Sequence, residues 1–222
     1  RFSMKKSTTV LTAIIGAIGI SLFSGCGGKN TFTENNYSSA DAIINSVVLD
    51  VSDREVEVTQ SQDEQIHICY FESEKEYYSI SEADGILKMS VVFNKDWTDY
   101  IGLKTDIQYR KIKIEIPENF ISDLSITTTT EKIEVTNLIV KESISLNSDG
   151  GNLEFENLSA GKSISLTAKN SDITGSVSGG WDDYTIKVTI KKGKSNLISK
   201  EGGEKLLTAD CNNGDINIDL IK

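Results

Sequence analysis

"SISLNSDGGNLEFENLSAGKSISLTAKNSDI", residues 143–173, says the same thing twice. The tetrapeptide Ser143-Ile144-Ser145-Leu146 returns as Ser163-Ile164-Ser165-Leu166, 20 residues later. The apolar positions Ile133, Leu153 and Ile173 keep the same interval, and with Ile144 and Ile164 between them the steps run 11, 9, 11 and 9. A strand and a turn in each half of a 20-residue period predict a β-solenoid, because one such coil cannot bury its apolar face alone and must stack on its neighbours. Evenly spaced strands also suit a β-sandwich, which stays open as the alternative. Near the end Leu197, Leu206 and Ile216 continue at steps of 9 and 10, and "LTADCNNGDIN" echoes "LTAKNSDIT" with two residues inserted.

Working back from the repeats, "SVVLDV", "REVEVTQ", "QIHICYF", "YYSISEADGILKMSVVF" and "RKIKIEIP" alternate apolar and polar residues and are rich in Val, Ile, Tyr and Thr. That period of two predicts hairpin-like strand pairs before Pro117, the only proline, which ends "KIKIEIP". Turns are expected at Asp84-Gly85, Asp149-Gly150-Gly151, Asn170-Ser171-Asp172, Gly179-Gly180 and Asn213-Gly214. No stretch sustains the i, i+3, i+4, i+7 spacing of a substantial helix. The fold class expected is all-β, in one domain over residues 43–222.

The N-terminus carries a different message. Arg1, Phe2 and Ser3 precede Met4, the expected biological start, and Lys5 and Lys6 then lead a small or apolar run from Val10 to Phe23. Such a run is shorter than the roughly 20 residues of a spanning helix and has the form of an export signal. It ends Leu22-Phe23-Ser24-Gly25-Cys26, two small residues before a cysteine. The ending resembles a bacterial lipobox, which implies removal of residues 1–25 and acylation of Cys26, so the expected first partner is the lipid bilayer. Residues 26–42, small and polar, are then a flexible tether, and the protein is extracytoplasmic and anchored to the cell membrane. Cleavage removes Arg1, Lys5 and Lys6 and no acid, leaving 20 basic against 33 acidic residues, a net charge of −13. Such a surface argues against nucleic acid, whose phosphates require Lys and Arg. Cys69 and Cys211 remain as an even pair, far apart in an elongated fold, where a bridge needs Cα atoms within about 6 Å.

From residue 43 onward the chain resembles the bacterial DUF4097 β-strand-repeat proteins, also called putative adhesins. The segments that carry the likeness are "DEQIHICYFESEKEYYSISEADGILKMSV", the strand-to-proline stretch "KIKIEIPENFISDLSITTTTEKIEV", and a turn-and-strand unit. The unit stands as Asn213-Gly214-Asp215-Ile216, and in degraded form as Gly150-Gly151-Asn152-Leu153 and Ser171-Asp172-Ile173. The resemblance implies a surface-exposed β-solenoid and brings no catalytic residues with it.

Several constellations remain to be weighed. His67 is the only histidine and alternates with Ile66 and Ile68, which reads as an ordinary strand position and not as a zinc ligand or triad base. "DCNNGDIN" from Asp210 has oxygen donors at alternate positions but departs from a calcium loop at positions 5, 6 and 12. Asp149, Asp172 and Asp215 fall at comparable turn positions, so a polysaccharide-active β-helix enzyme is kept as a third reading. Both tryptophans lie in a repeated tetrapeptide, Trp97 to Tyr100 and Trp181 to Tyr184, an aromatic beside acids, as sugar binding uses. Trp97, Tyr100, Trp181 and Tyr184 are therefore candidate ligand contacts, with packing plugs as the other reading. The expected function is a non-enzymatic surface scaffold or adhesin for envelope polysaccharide or protein, with no cofactor and no metal. An envelope sensor acting by protein contact is the rival.

Overall fold

The computed structural model describes residues 31–39, 43–97 and 104–222. Cys26, the expected signal segment and Tyr100 lie outside the described residues. Among the described residues the chain is all-β, with two 3₁₀ turns, Ile107–Arg110 and Trp181–Asp183, and no helix long and apolar enough to cross a membrane.

The 20-residue period is a stacking register. Strand β8 (Asp123–Thr128) lies parallel to β11 (Ser143–Ser148), which lies parallel to β13 (Ser163–Ala168), with Asp123 beside Ser143 beside Ser163. Each strand turns a corner into a second sheet, where β9 (Ile133–Thr136), β12 (Leu153–Ala160) and β14 (Ile173–Ser178) stack with Ile133, Leu153 and Ile173 side by side. A short β10 (Ile139–Val140) pairs with β12. Two facing parallel sheets wound from successive coils make the solenoid, and the inward positions of both fill its core: Leu124, Ile126, Ile144, Leu146, Ile164 and Leu166 from one side, Ile133, Val135, Leu153 and Ile173 from the other. Each such burial contributes roughly 1.5–3 kcal/mol, and the β-branched residues fit the pleat.

The coils before Pro117 belong to the same stack. Strand β2 (Ser46–Asp50) turns into β3 (Glu55–Gln60), and β6 (Ile86–Phe93) passes through a long loop into β7 (Lys111–Ile116). β2 lies between β6 and β8, and β3 between β7 and β9, all parallel. Only the outermost layer is hairpin-like: β4 (His67–Glu72) runs antiparallel to β7, and β5 (Glu76–Ala83) forms a hairpin with β6 across Asp84-Gly85, both at positive φ. The expected change of architecture at Pro117 is therefore displaced outward, because alternation identifies a strand without saying which strand it pairs with.

Two further expectations are corrected. The stretch expected to be free tether contains β1 (Thr33–Ser38), an edge strand paired antiparallel to β4. Its polar sequence hides it, since the pairing is carried by backbone and only Tyr37 packs against the core. At the far end β15 (Tyr184–Lys192) covers β16 (Lys205–Asn213), and β17 (Ile216–Ile221) returns to β14. Leu207 stands beside Ile164 and Ile216 beside Ile173, a uniform offset of 43, so the echo of "LTAKNSDIT" is a two-residue slip and not an insertion. Leu206 faces outward beside Ser163. Leu197 is buried in the segment that closes this end, where Asn196 exchanges two hydrogen bonds with Ile218.

Candidate functional site

Outward positions on β8, β11 and β13 form a lattice. In register across the three strands stand Ser125, Ser145 and Ser165, then Thr127, Asn147 and Thr167, with Asp123, Ser143 and Ser163 as a third row. Neighbouring strands lie about 4.8 Å apart and alternate residues about 6.7 Å apart along a strand, so hydroxyls repeat in two dimensions on a flat face. Thr208 and Asp210 of β16 extend the rows. The outer face of the other sheet differs: Lys111 bridges Glu55 and Glu57, and Lys132 bridges Glu134 and Glu154.

The two tryptophans do not meet. Trp97 follows β6 and Trp181 precedes β15, six strand steps apart in one sheet, or about 29 Å at the usual strand spacing. Trp97 is 76% exposed. Trp181 is 41% exposed, with Lys200 Nζ 5.2 Å from its ring centre and donating to its carbonyl. Tyr184 is fully buried and donates to the Ser178 carbonyl at 2.6 Å, so it is a packing residue and is withdrawn as a ligand contact.

His67 has partners that its neighbours in sequence do not reveal. Ser38 Oγ, from β1, lies 2.8 Å from Nδ1, and Asp63 presents its two carboxylate oxygens to Nε2 at 2.9 and 3.0 Å. A hydrogen bond from the Gln65 amide, then one from His67, holds the Asp63 carboxyl below its usual value. The imidazole borders a groove of about 340 Å³ lined by Asn36, Ser38, Cys69, Lys113 and Glu115. Burial, then the hydrogen bond to Glu34, pushes the Cys69 thiol up to about 11. Cys69 and the buried Cys211 are both free thiols, on different sheets and toward opposite ends of the stack. Neither the partnership of Ser38 nor that of Asp63 could be read locally, since one comes from a strand 29 residues away and the other from the preceding turn.

With this geometry in place the chain can be set beside known proteins. The Toastrack DUF4097 family profile matches residues 44–222. The chain belongs to that family. Among solved structures, a "putative cell adhesion protein" from Clostridium sporogenes is similar over 86% of this chain and 100% of its own, at 11% identity and TM-score 0.63. A "putative adhesin" from Bacteroides fragilis covers 87% and 98% at 12% identity and TM-score 0.40, and one from Parabacteroides merdae 86% and 98% at 15% and 0.35. The Clostridium structure shares the fold; it does not transfer a ligand. No curated protein matches the chain. Strand β1, which carries Ser38, precedes the residues that the family profile matches.

The acids of the Toastrack turns are spent on stacking. Asn152, Asp172 and Asp215 occupy equivalent corners, and each side-chain oxygen accepts a backbone N–H from the next layer: Asp172 on Asn152 at 3.1 Å, Asp215 on Asp172 at 2.8 Å, Lys194 on Asp215 at 2.7 Å. Asp149 is out of line with them and pairs with Lys169 at 2.7 Å, which corrects the expected row of three acids. Asn213 of the calcium-like stretch donates to Asn170, and among the described residues no cluster of His, Cys, Asp and Glu has the arrangement of a metal site.

The sequence reading missed an ionic cluster altogether. Arg54, fully buried, donates to Tyr78 at 2.7 Å, Asp53 at 2.5 Å and Glu76 at 2.6 Å. Glu76 also receives Lys95 and Thr105, while Arg110 and Lys104 converge on Glu131. All three donor nitrogens of Arg54 are occupied, so the cluster locks the long loop to the stack and offers no open charge to a ligand. Charged residues scattered between Asp53 and Glu131 give no local pattern by which it could be foreseen.

Proposed function

We propose that this Toastrack protein is a membrane-anchored surface lipoprotein that binds envelope polysaccharide without transforming it, through the hydroxyl face of β8, β11 and β13. The observation carrying this reading is the contrast within one acidic molecule between a charged sheet face and a flat one bearing no Lys or Arg on those three strands. A glycan is itself a regular array of hydroxyls, and the Ser, Thr and Asn rows meet it with uncharged donors and acceptors, Asp123 and Asp210 adding carboxylate acceptors at the margins. Exposed Trp97 adds an indole face at one margin. Anchoring through acylated Cys26 places this face at the cell surface; each buried acyl CH₂ contributes about 0.8 kcal/mol, so two or three chains hold it there.

The test is retention on purified envelope polysaccharide, comparing the parent chain with Ser145→Glu/Ser165→Glu and with Trp97→Ala. The double substitution is expected to weaken binding at least about tenfold, one lost favourable contact of roughly 1.4 kcal/mol or more. Retention indifferent to both changes, or no retention by the parent, rejects the reading. Metabolic acyl labelling lost in Cys26→Ser tests the anchor separately.

A further inference from the structure

The Ser38, His67 and Asp63 arrangement has an order of proton positions that can be worked out from its partners. An ionised Asp63 only accepts hydrogen bonds, so His67 Nε2, facing both of its oxygens, carries the proton. In a neutral imidazole Nδ1 is then the lone-pair nitrogen, and the Ser38 hydroxyl 2.8 Å away donates to it. A hydroxyl hydrogen-bonded to a base, itself oriented by a carboxylate, is the geometry of an activated nucleophile, whichever ring nitrogen faces the serine.

We propose that Ser38 is the nucleophile of a hydrolytic site for short-chain carboxylic esters, with His67 as general base and acid and Asp63 as its positioning residue. The activity is independent of polysaccharide binding, since it lies on the other sheet. In the first step Ser38 Oγ bonds to the ester carbonyl carbon while its proton passes to His67 Nδ1. Collapse of the tetrahedral intermediate breaks the carbon–oxygen bond to the leaving alcohol, which takes that proton from His67. Water then attacks the acyl carbon while His67 Nδ1 accepts its proton, and collapse breaks the bond from that carbon to Ser38 Oγ, which takes the proton back from His67 as the carboxylic acid leaves. Lys113 and Asn36, which line the groove, are the donors available there to a developing oxyanion. Cys69, on the same face, stays a protonated thiol and is no competitor. The groove, about 340 Å³, has room for a short acyl group beside Ser38.

The test treats the full chain with a fluorophosphonate probe and maps the adduct by mass spectrometry, alongside hydrolysis of p-nitrophenyl acetate. Adduct on Ser38 is expected, absent in Ser38→Ala, and formed at least about 100-fold more slowly in His67→Gln with an unchanged far-ultraviolet circular dichroism spectrum. Asp63→Asn should lower kcat for the acetate ester while leaving KM in place. No Ser38 adduct on the folded parent chain, or an adduct rate indifferent to His67→Gln, overturns the proposal; unchanged kcat in Asp63→Asn removes the role given to Asp63.

Discussion

At the corner between β11 and β12, Gly151 lies so close to the coil before it that a Cβ would fall 1.8 Å from the Glu131 carbonyl oxygen. The corner between β2 and β3 is closed instead by the Arg54 guanidinium with Asp53, Tyr78 and Glu76 around it. Both corners join the same two sheets, but their neighbours differ. In the middle, each coil meets another of equal length, so backbone can stack on backbone and the sequence repeats. Toward the β1 end the next layers bring a long loop and a hairpin, and the space they leave has to be filled by long side chains of both signs. A solenoid is thus periodic where its neighbours are copies and irregular where they are not.

The sharpest way to break that comparison is to add one methyl group. Gly151→Ala sets a Cβ against rigid backbone and is expected to cost about 5 kcal/mol, at the far end of what point substitutions do. Gly202→Ala, in the closing segment at φ +108° with nothing within 4 Å, meets only backbone strain and should cost about 1–2 kcal/mol. Urea unfolding of both variants decides it. Equal losses would mean that the middle corners are no tighter than the ends.

Glu76→Gln attacks the other kind of corner, and should cost about 3 kcal/mol by leaving Arg54 and Lys95 short of their carboxylate. Its pH dependence is separable. Burial alone would raise the Glu76 pKa, but hydrogen bonds from Lys95 and Thr105 and the charge of Arg54 outweigh it and hold the group below its ordinary 4.5. A carboxylate depressed in the folded state binds fewer protons than it does unfolded. Its stabilisation is therefore complete above pH 4.5 and is lost as the pH falls through the folded value. The parent should lose stability on acidification more steeply than Glu76→Gln, with Glu131 still contributing to both. Parallel acid limbs would show that the cluster does not depend on this charge.

What was legible in the sequence follows the same division. Ser143–Leu146 and Ser163–Leu166 announce the stack because their neighbours are copies, and the family follows from the order of such pieces. The offset of 43 at Leu207 was misread because a slip of two residues keeps every side chain on its own face, so alternation cannot detect it. Tyr184 and Trp181 share a tetrapeptide yet face opposite ways, one at the foot of a strand and one in the turn before it. Strand β1 and the partners of His67 were invisible for a different reason: they are formed by contacts between segments whose local patterns say nothing about each other.

The smallest expected effect has the opposite sign. Tyr37 of β1 packs against the core at the sheet edge, and its hydroxyl is buried with no hydrogen-bond partner among the described residues. Leaving a buried hydroxyl unsatisfied costs about 1–3 kcal/mol, so Tyr37→Phe, which keeps the ring and removes the oxygen, should stabilise the docking of β1 by about 1 kcal/mol. Because β1 touches only β4 in its sheet, the gain belongs to the edge and not to the stack. Amide hydrogen exchange separates the two: protection should rise along Thr33–Ser38 and stay constant in β11 and β13. Faster exchange in β1 of the Phe variant would show that the hydroxyl holds the strand down, and the end would then be satisfied as thoroughly as the middle.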